Sequence, residues 1–169
     1  GVGSSPILEG DLLLVMIGGQ TNSGMVAFDS NTGKVVWESV GHRNWQGQPM
    51  VGWRGERTVV WQPWEKQASY ATPVGATIHG HRQVLCLMRQ GLLSLNPTNG
   101  FVNFSFWFRS PANESVNAMN PVVVGDQNLL SGPYYKIGSV LLRVKPDGKN
   151  VEEVWRDTVL EMHWSTPIY

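Results

Sequence analysis

A chain of 169 residues with 13 basic and 13 acidic side chains carries no net charge and has no Lys/Arg-rich run, so the electrostatic footprint of a nucleic-acid binder is missing. One cysteine, Cys86, excludes an internal disulfide and a cysteine-based metal framework. Hydrophobic content of 41% suffices for a core, and 19 glycines, 10 prolines and 8 tryptophans against only 15% charged residues point to short strands joined by tight turns.

In chain order, the first unit reads as four strands. Pro6-Ile7-Leu8-Glu9 is followed by a Gly10-Asp11 turn and by Leu12 to Ile17, the longest apolar run. That run is far short of the roughly 18–20 residues that cross a bilayer, so no membrane span is expected. Residues 18–23 then form a loop before Gly24 to Asp29, and Ser30-Asn31-Thr32-Gly33 turns the chain into Lys34 to Ser39. Proline at a strand's first position is where its missing donor is tolerated. Gly1-Val2-Gly3-Ser4-Ser5 lacks the charged, Met-led start of a signal peptide.

Two markers then repeat. A small residue, a hydroxyl or amide residue, proline and an aliphatic recur as Ser4-Ser5-Pro6-Ile7, Ala71-Thr72-Pro73-Val74, Met119-Asn120-Pro121-Val122 (Met for the small residue) and Ser165-Thr166-Pro167-Ile168, with the prolines 67, 48 and 46 residues apart. Glycines opening short apolar strands, Gly24, Gly91 and Gly138, lie 67 and 47 apart. The unit is therefore about 47 residues, a propeller-blade period, with roughly 20 extra residues in the first copy. The expected division is a first blade over 1–41 with a Trp-rich insertion over 42–67, a second over 68–110, a third over 116–160, and the first strand of a fourth over 163–169. Both ends read as cut, and three blades are too few for a whole ring.

The sharpest signal is Ala27-Phe28-Asp29-Ser30-Asn31-Thr32-Gly33-Lys34-Val35-Val36-Trp37, of the form A-x-D-x-x-T-G-K-x-x-W. Asp29 can bond amides two residues on, Thr32 steadies the turn, and Gly33 supplies positive φ without steric cost. The later copies are degenerate: Asn96 to Gly100 aligns with the turn but leads to Phe104, and Lys145 to Gly148 leads to Trp155 at a longer spacing. The pattern resembles the tryptophan-docking motif of the PQQ-like (quinoprotein alcohol dehydrogenase-like) β-propeller repeat family of bacteria. The resemblance implies all-β, four-stranded antiparallel blades, a structural role for Ala27, Asp29, Thr32, Gly33 and Trp37 in fastening blade to blade, and a periplasmic or secreted location. That family holds calcium- and quinone-dependent enzymes and also cofactor-free scaffolds.

For a quinoprotein site, calcium would need six to eight oxygen ligands. Asp11, Asp29, Asp126, Asp147 and Asp157 mostly sit in repeat turns, Glu152 and Glu153 point to opposite faces of one strand, and the vicinal cysteines of several such enzymes are absent. His79-Gly80-His81 occupies the place of a turn and is expected to be solvated rather than metal-binding; His42, in the insertion, is uninformative. Cys86, inside Val84 to Met88, is expected to be a buried small residue.

The insertion carries Trp45, Trp53, Trp61 and Trp64, and the segments around Arg54-Gly55-Glu56-Arg57 read as a hairpin. The indoles either cap the blade's rim or, with His163 before the fourth proline marker, form a candidate binding surface. The expected function is a non-catalytic binding scaffold for a protein or polysaccharide in the bacterial envelope, without cofactor. The alternative is a segment of a dehydrogenase using PQQ with calcium. Expected partners are the missing propeller blades or a second copy of the chain.

Overall fold

The computed structural model describes the whole chain except residues 1–2, 20, 46–49, 52–57, 60–66, 111–114, 126–127, 132–136, 161 and 163. Strands β1 (Ile7–Glu9), β2 (Leu12–Gly19), β3 (Ser23–Asp29) and β4 (Val35–Ser39) form one antiparallel sheet in that order. A 3-10 turn, His42–Asn44, and a small hairpin of β5 (Met50–Val51) and β6 (Thr58–Val59) follow, with Met50 paired to Val59. Strands β7 (Val74–Ile78), β8 (His81–Leu87), β9 (Gly91–Leu95) and β10 (Val102–Trp107) make the second four-stranded sheet. Strands β11 (Val122–Val124), β12 (Asn128–Ser131), β13 (Ser139–Val144) and β14 (Val151–Asp157) make the third.

Each sheet's first strand begins directly after a marker proline, since Ile7, Val74 and Val122 follow Pro6, Pro73 and Pro121. The β2–β3 connection is tighter than the sequence suggests, because the ladder continues to a Gly19–Ser23 pair. Pro167 is followed by no strand among the described residues 164–169.

Period-two alternation places the core. On β8, Leu85 and Leu87 face the third sheet while Val84 and Cys86 face the first. One apolar layer joins Leu14, Met16, Met25, Ala27 and Trp37 of the first sheet to Val84, Cys86, Met88, Leu93 and Leu95 of the second. The other joins Ile78, Leu85, Leu87, Leu92 and Phe104 to Val140, Leu142 and Val144. The middle sheet is thus covered on both faces, and every residue of β9 is buried. Burial holds the Cys86 thiol in its neutral form, with its pKa pushed well up.

The outer strand of each sheet carries a bulge at the same place. Pairing shifts between Ala27 and Phe28, so that Trp37 faces Ala27 and Val35 faces Phe28. It shifts again between Val102 and Phe104, setting Phe104 opposite Ser94, and between Leu141 and Leu142, setting Trp155 opposite Leu141. By ladder position Trp37, Phe104 and Trp155 are therefore equivalent, although Trp155 lies farther from its turn in sequence. An unpaired extra residue re-aims the side chain beside it, here an aromatic ring, toward the neighbouring sheet.

Candidate functional site

The first joint is built from the β3–β4 turn and the strand after it. Asp29 Oδ1 accepts the Asn31 amide at 3.1 Å, the Thr32 amide at 2.7 Å and the Thr32 hydroxyl at 2.8 Å. The Thr32 hydroxyl and amide hold the Asp29 carboxyl below its ordinary value. Gly33 takes φ of 70°, its amide donates to the Asp29 carbonyl at 2.8 Å, and the Asp29 amide donates to the Lys34 carbonyl at 2.8 Å. From that fixed start β4 delivers Trp37, only 8% exposed, onto the β9–β10 turn of the second sheet. Its Nε1–H donates to the Pro97 carbonyl at 2.9 Å. The ring lies flush on Gly100, where a β-carbon would stand 2.5 Å from the indole. Ala27, paired with Trp37, is fully buried in the same layer.

The receiving turn copies the first. The Asn96 amide donates to the Phe101 carbonyl at 2.8 Å, the Gly100 amide to the Asn96 carbonyl at 2.9 Å, and Gly100 has φ of 71°. Asn96 Oδ1 accepts the Thr98 amide at 2.9 Å, standing in for the carboxylate. An amide oxygen accepts without charge, although Asn96 bonds Thr98 alone where Asp29 bonds both Asn31 and Thr32.

The second joint uses different side chains. The His79-Gly80 turn forms, yet it is not simply solvated: His79, at φ of 50°, brings Nε2 within 3.1 Å of the Val144 carbonyl. The His81 ring sits 3.1 Å from where a β-carbon on Gly148 would be. Behind it the Ser94 hydroxyl donates to buried Gln83 at 2.6 Å and accepts from Asn103 Nδ2 at 3.0 Å. The β13–β14 ladder runs two pairs farther from its bulge to its turn than the β9–β10 ladder does, and its turn glycine, Gly148, lies against His81 and Gln83.

These turns border a groove of about 550 Å³, lined by Gly10, Gly80, Arg82, Asn96, Asp147 and Lys149 among others. Turns of all three sheets therefore meet at one end of the stack. The two carboxylates there are engaged. Arg82 grips Glu9 through Nε at 2.5 Å and Nη2 at 2.7 Å. Asp147 accepts the Lys149 amide at 2.9 Å and Asn150 Nδ2 at 2.8 Å, which hold its pKa down. A carboxyl group poised for acid–base work would have its pKa raised. Asp147 is shifted the opposite way by the bonds within its own turn. Among the described residues no three His, Cys, Asp or Glu side chains converge as metal ligands would.

At the other end the proline markers touch one another. The Thr72 amide donates to Asn120 Oδ1 at 2.7 Å, and the Asn120 amide donates to Thr166 Oγ1 at 3.0 Å. Asn120 and Thr166, each the residue before a marker proline, thus bind the corresponding backbone of the preceding unit. The recurrence of that side-chain type before proline was the signal for this relay. Tyr70 and Trp164, each two residues ahead of a relay residue, make an edge contact at 5.9 Å and are exposed.

Of the candidate binding surface, Trp45 is described: it packs against the layer between the first two sheets, and its Nε1–H donates to Gln67 Oε1 at 3.2 Å. Trp53, Trp61, Trp64 and His163 lie outside the described residues.

No family model matches the chain, and none of the curated proteins matches it. The chain is similar to the crystal structure of BamB from Moraxella catarrhalis, with a TM-score of 0.53 and 15% identity. The match covers 97% of this chain and 40% of that one, so the chain spans well under half of that protein's length. The likeness shows the fold: three antiparallel four-stranded sheets forming part of a β-propeller.

Proposed function

We propose that the chain is a non-catalytic module of the PQQ-like repeat type, serving as a binding scaffold for a protein or polysaccharide in the bacterial envelope. The observation that carries this reading is the turn-lined groove. It is large enough for a peptide or sugar segment, it presents several polar side chains, and its carboxylates are tied into a salt bridge and a turn. Sites of this size with a few fixed polar groups are ordinary binding sites. The tryptophan-docking pattern, and a structural neighbour from a bacterium, support the family and the envelope setting. Protein partners are the first class to test, because a propeller presents its turns as one continuous surface.

Calorimetric titration of the chain with PQQ, with and without calcium, separates this reading from the dehydrogenase alternative. The scaffold reading expects no heat of binding in either condition. Calcium-dependent binding at about micromolar affinity or better, the level of a dedicated site, would overturn it.

A further inference from the structure

The turns that join the third and fourth strands of the three sheets are copies of one another, so each serves as a reference for the others. In the first and third copies the residue after the turn glycine is an exposed lysine, Lys34 after Gly33 and Lys149 after Gly148. In the second copy that place holds Phe101, a ring 62% exposed. An apolar ring held out in water, where the repeat otherwise carries a charge, contributes little to the fold through burial.

Phe101 borders a cleft of about 480 Å³ whose other lining residues include Asn22, Ser39, Asn44, Asn99 and Val102. Its walls are the β2–β3 connection, the end of β4 and the 3-10 turn of the first unit, and the β9–β10 turn of the second. It shares no lining residue with the turn-lined groove. The Ser39 hydroxyl donates to the Gly100 carbonyl at 2.5 Å and ties the two walls together. Asn44 and Asn99 spend their side-chain oxygens on the Gly41 amide at 2.8 Å and the Phe101 amide at 3.0 Å, which fixes both side chains and leaves their Nδ2 donors for a ligand. Asn22 adds a third amide, and no described residue of the lining carries a charge.

We propose that this cleft binds a neutral oligosaccharide, one pyranose ring lying on Phe101 with its hydroxyls bonded to the three asparagines. A sugar ring has an apolar C–H face and an edge of hydroxyls that both donate and accept, and an aromatic ring bordered by amides matches both. A charged ligand would find no countercharge among these residues and would lose hydration without return. A peptide anchors through side chains in closed, desolvated pockets, whereas the one large apolar group here stands in the open. The site is additional to the turn-lined groove and does not depend on what that groove holds.

Amide NMR of the 169-residue chain, titrated with chitotetraose and with maltotetraose, tests this. At least one of the two should bind with about millimolar affinity or better, shifting the amides of Asn44, Asn99 and Phe101. The repeats themselves supply variants that keep the turn. Phe101→Lys installs the residue of the other two copies, and Asn99→Thr installs the Thr32 of the first, whose hydroxyl accepts from the Lys34 amide. Each should weaken binding about 10-fold or more, with the thermal unfolding midpoint nearly unchanged. No shift with either sugar at about 10 mM, ten times a millimolar constant, would overturn the proposal. Binding that survives Phe101→Lys, or shifts confined to the turn-lined groove, would place the sugar elsewhere and sink it equally. Tighter binding of tetragalacturonate, which carries carboxylates, would refute the neutral assignment.

Discussion

Trp37 contributes to the first joint in two separable ways, through buried area and through one hydrogen bond. Replacing it with alanine removes both and leaves a cavity between the sheets, with an expected cost of about 3–5 kcal/mol in urea unfolding. Trp37→Phe keeps most of the area but orphans the Pro97 carbonyl, with an expected cost of about 1–3 kcal/mol. Asp29 is different in kind. Its carboxyl is held below the ordinary 3.8 by the bonds to Thr32, so its stabilising effect is full above that value and fades as pH falls through the lowered one. Asp29→Asn keeps an acceptor, as Asn96 does in the second turn, but lacks the charge, so it should be less stable than wild type at pH 7 and less affected than Asp29→Ala. The difference between wild type and Asp29→Asn should shrink below pH 4, where the wild-type carboxyl is protonated. Thermal unfolding of the three chains across pH 2–7 checks the sign.

At the scale of elements, the joints depend on where the ladder slips. The loop after β8 is fixed by a buried amide: Asn117 Nδ2 donates to the Met88 carbonyl at 2.7 Å and to the Phe108 carbonyl at 3.2 Å. Asn117→Ala removes both bonds, leaving the Met88 carbonyl only the Gly91 amide, and should cost about 1–3 kcal/mol, read as a lower urea midpoint with an unchanged slope. The strands themselves were legible in the sequence, because alternation, strand-opening prolines and turn glycines are local signals. The bulges were not. Trp155 looks out of register when residues are counted from its turn, and only pairing with Leu141 shows that it matches Trp37. A bulge is a property of two strands, and one strand's sequence does not contain it. The groove was hidden for a related reason: Gly10, Gly80 and Asp147 are far apart along the chain and meet only through the stacking of three sheets. His79 and His81 read as a plain turn because their contacts, the Val144 carbonyl and Gly148, belong to the third sheet.

At the scale of the whole molecule, the stack is close to one-dimensional, since each sheet meets only its neighbours through an apolar layer. Stability is then a sum of sheet and joint terms, and the middle sheet, held from both sides, should be the last to open. Amide exchange is expected to be slowest in β9, and faster in β14, where residues 153–157 are exposed. The position of Cys86 turns this gradient into something a bench chemist can time. Its thiol lies in the layer between the first and second sheets, fully buried and protonated, and reacts with an alkylating reagent only when those sheets part. The native chain therefore carries its own clock: at saturating reagent the labelling rate is the rate at which that seam unzips, and Trp37→Phe should make the clock run faster.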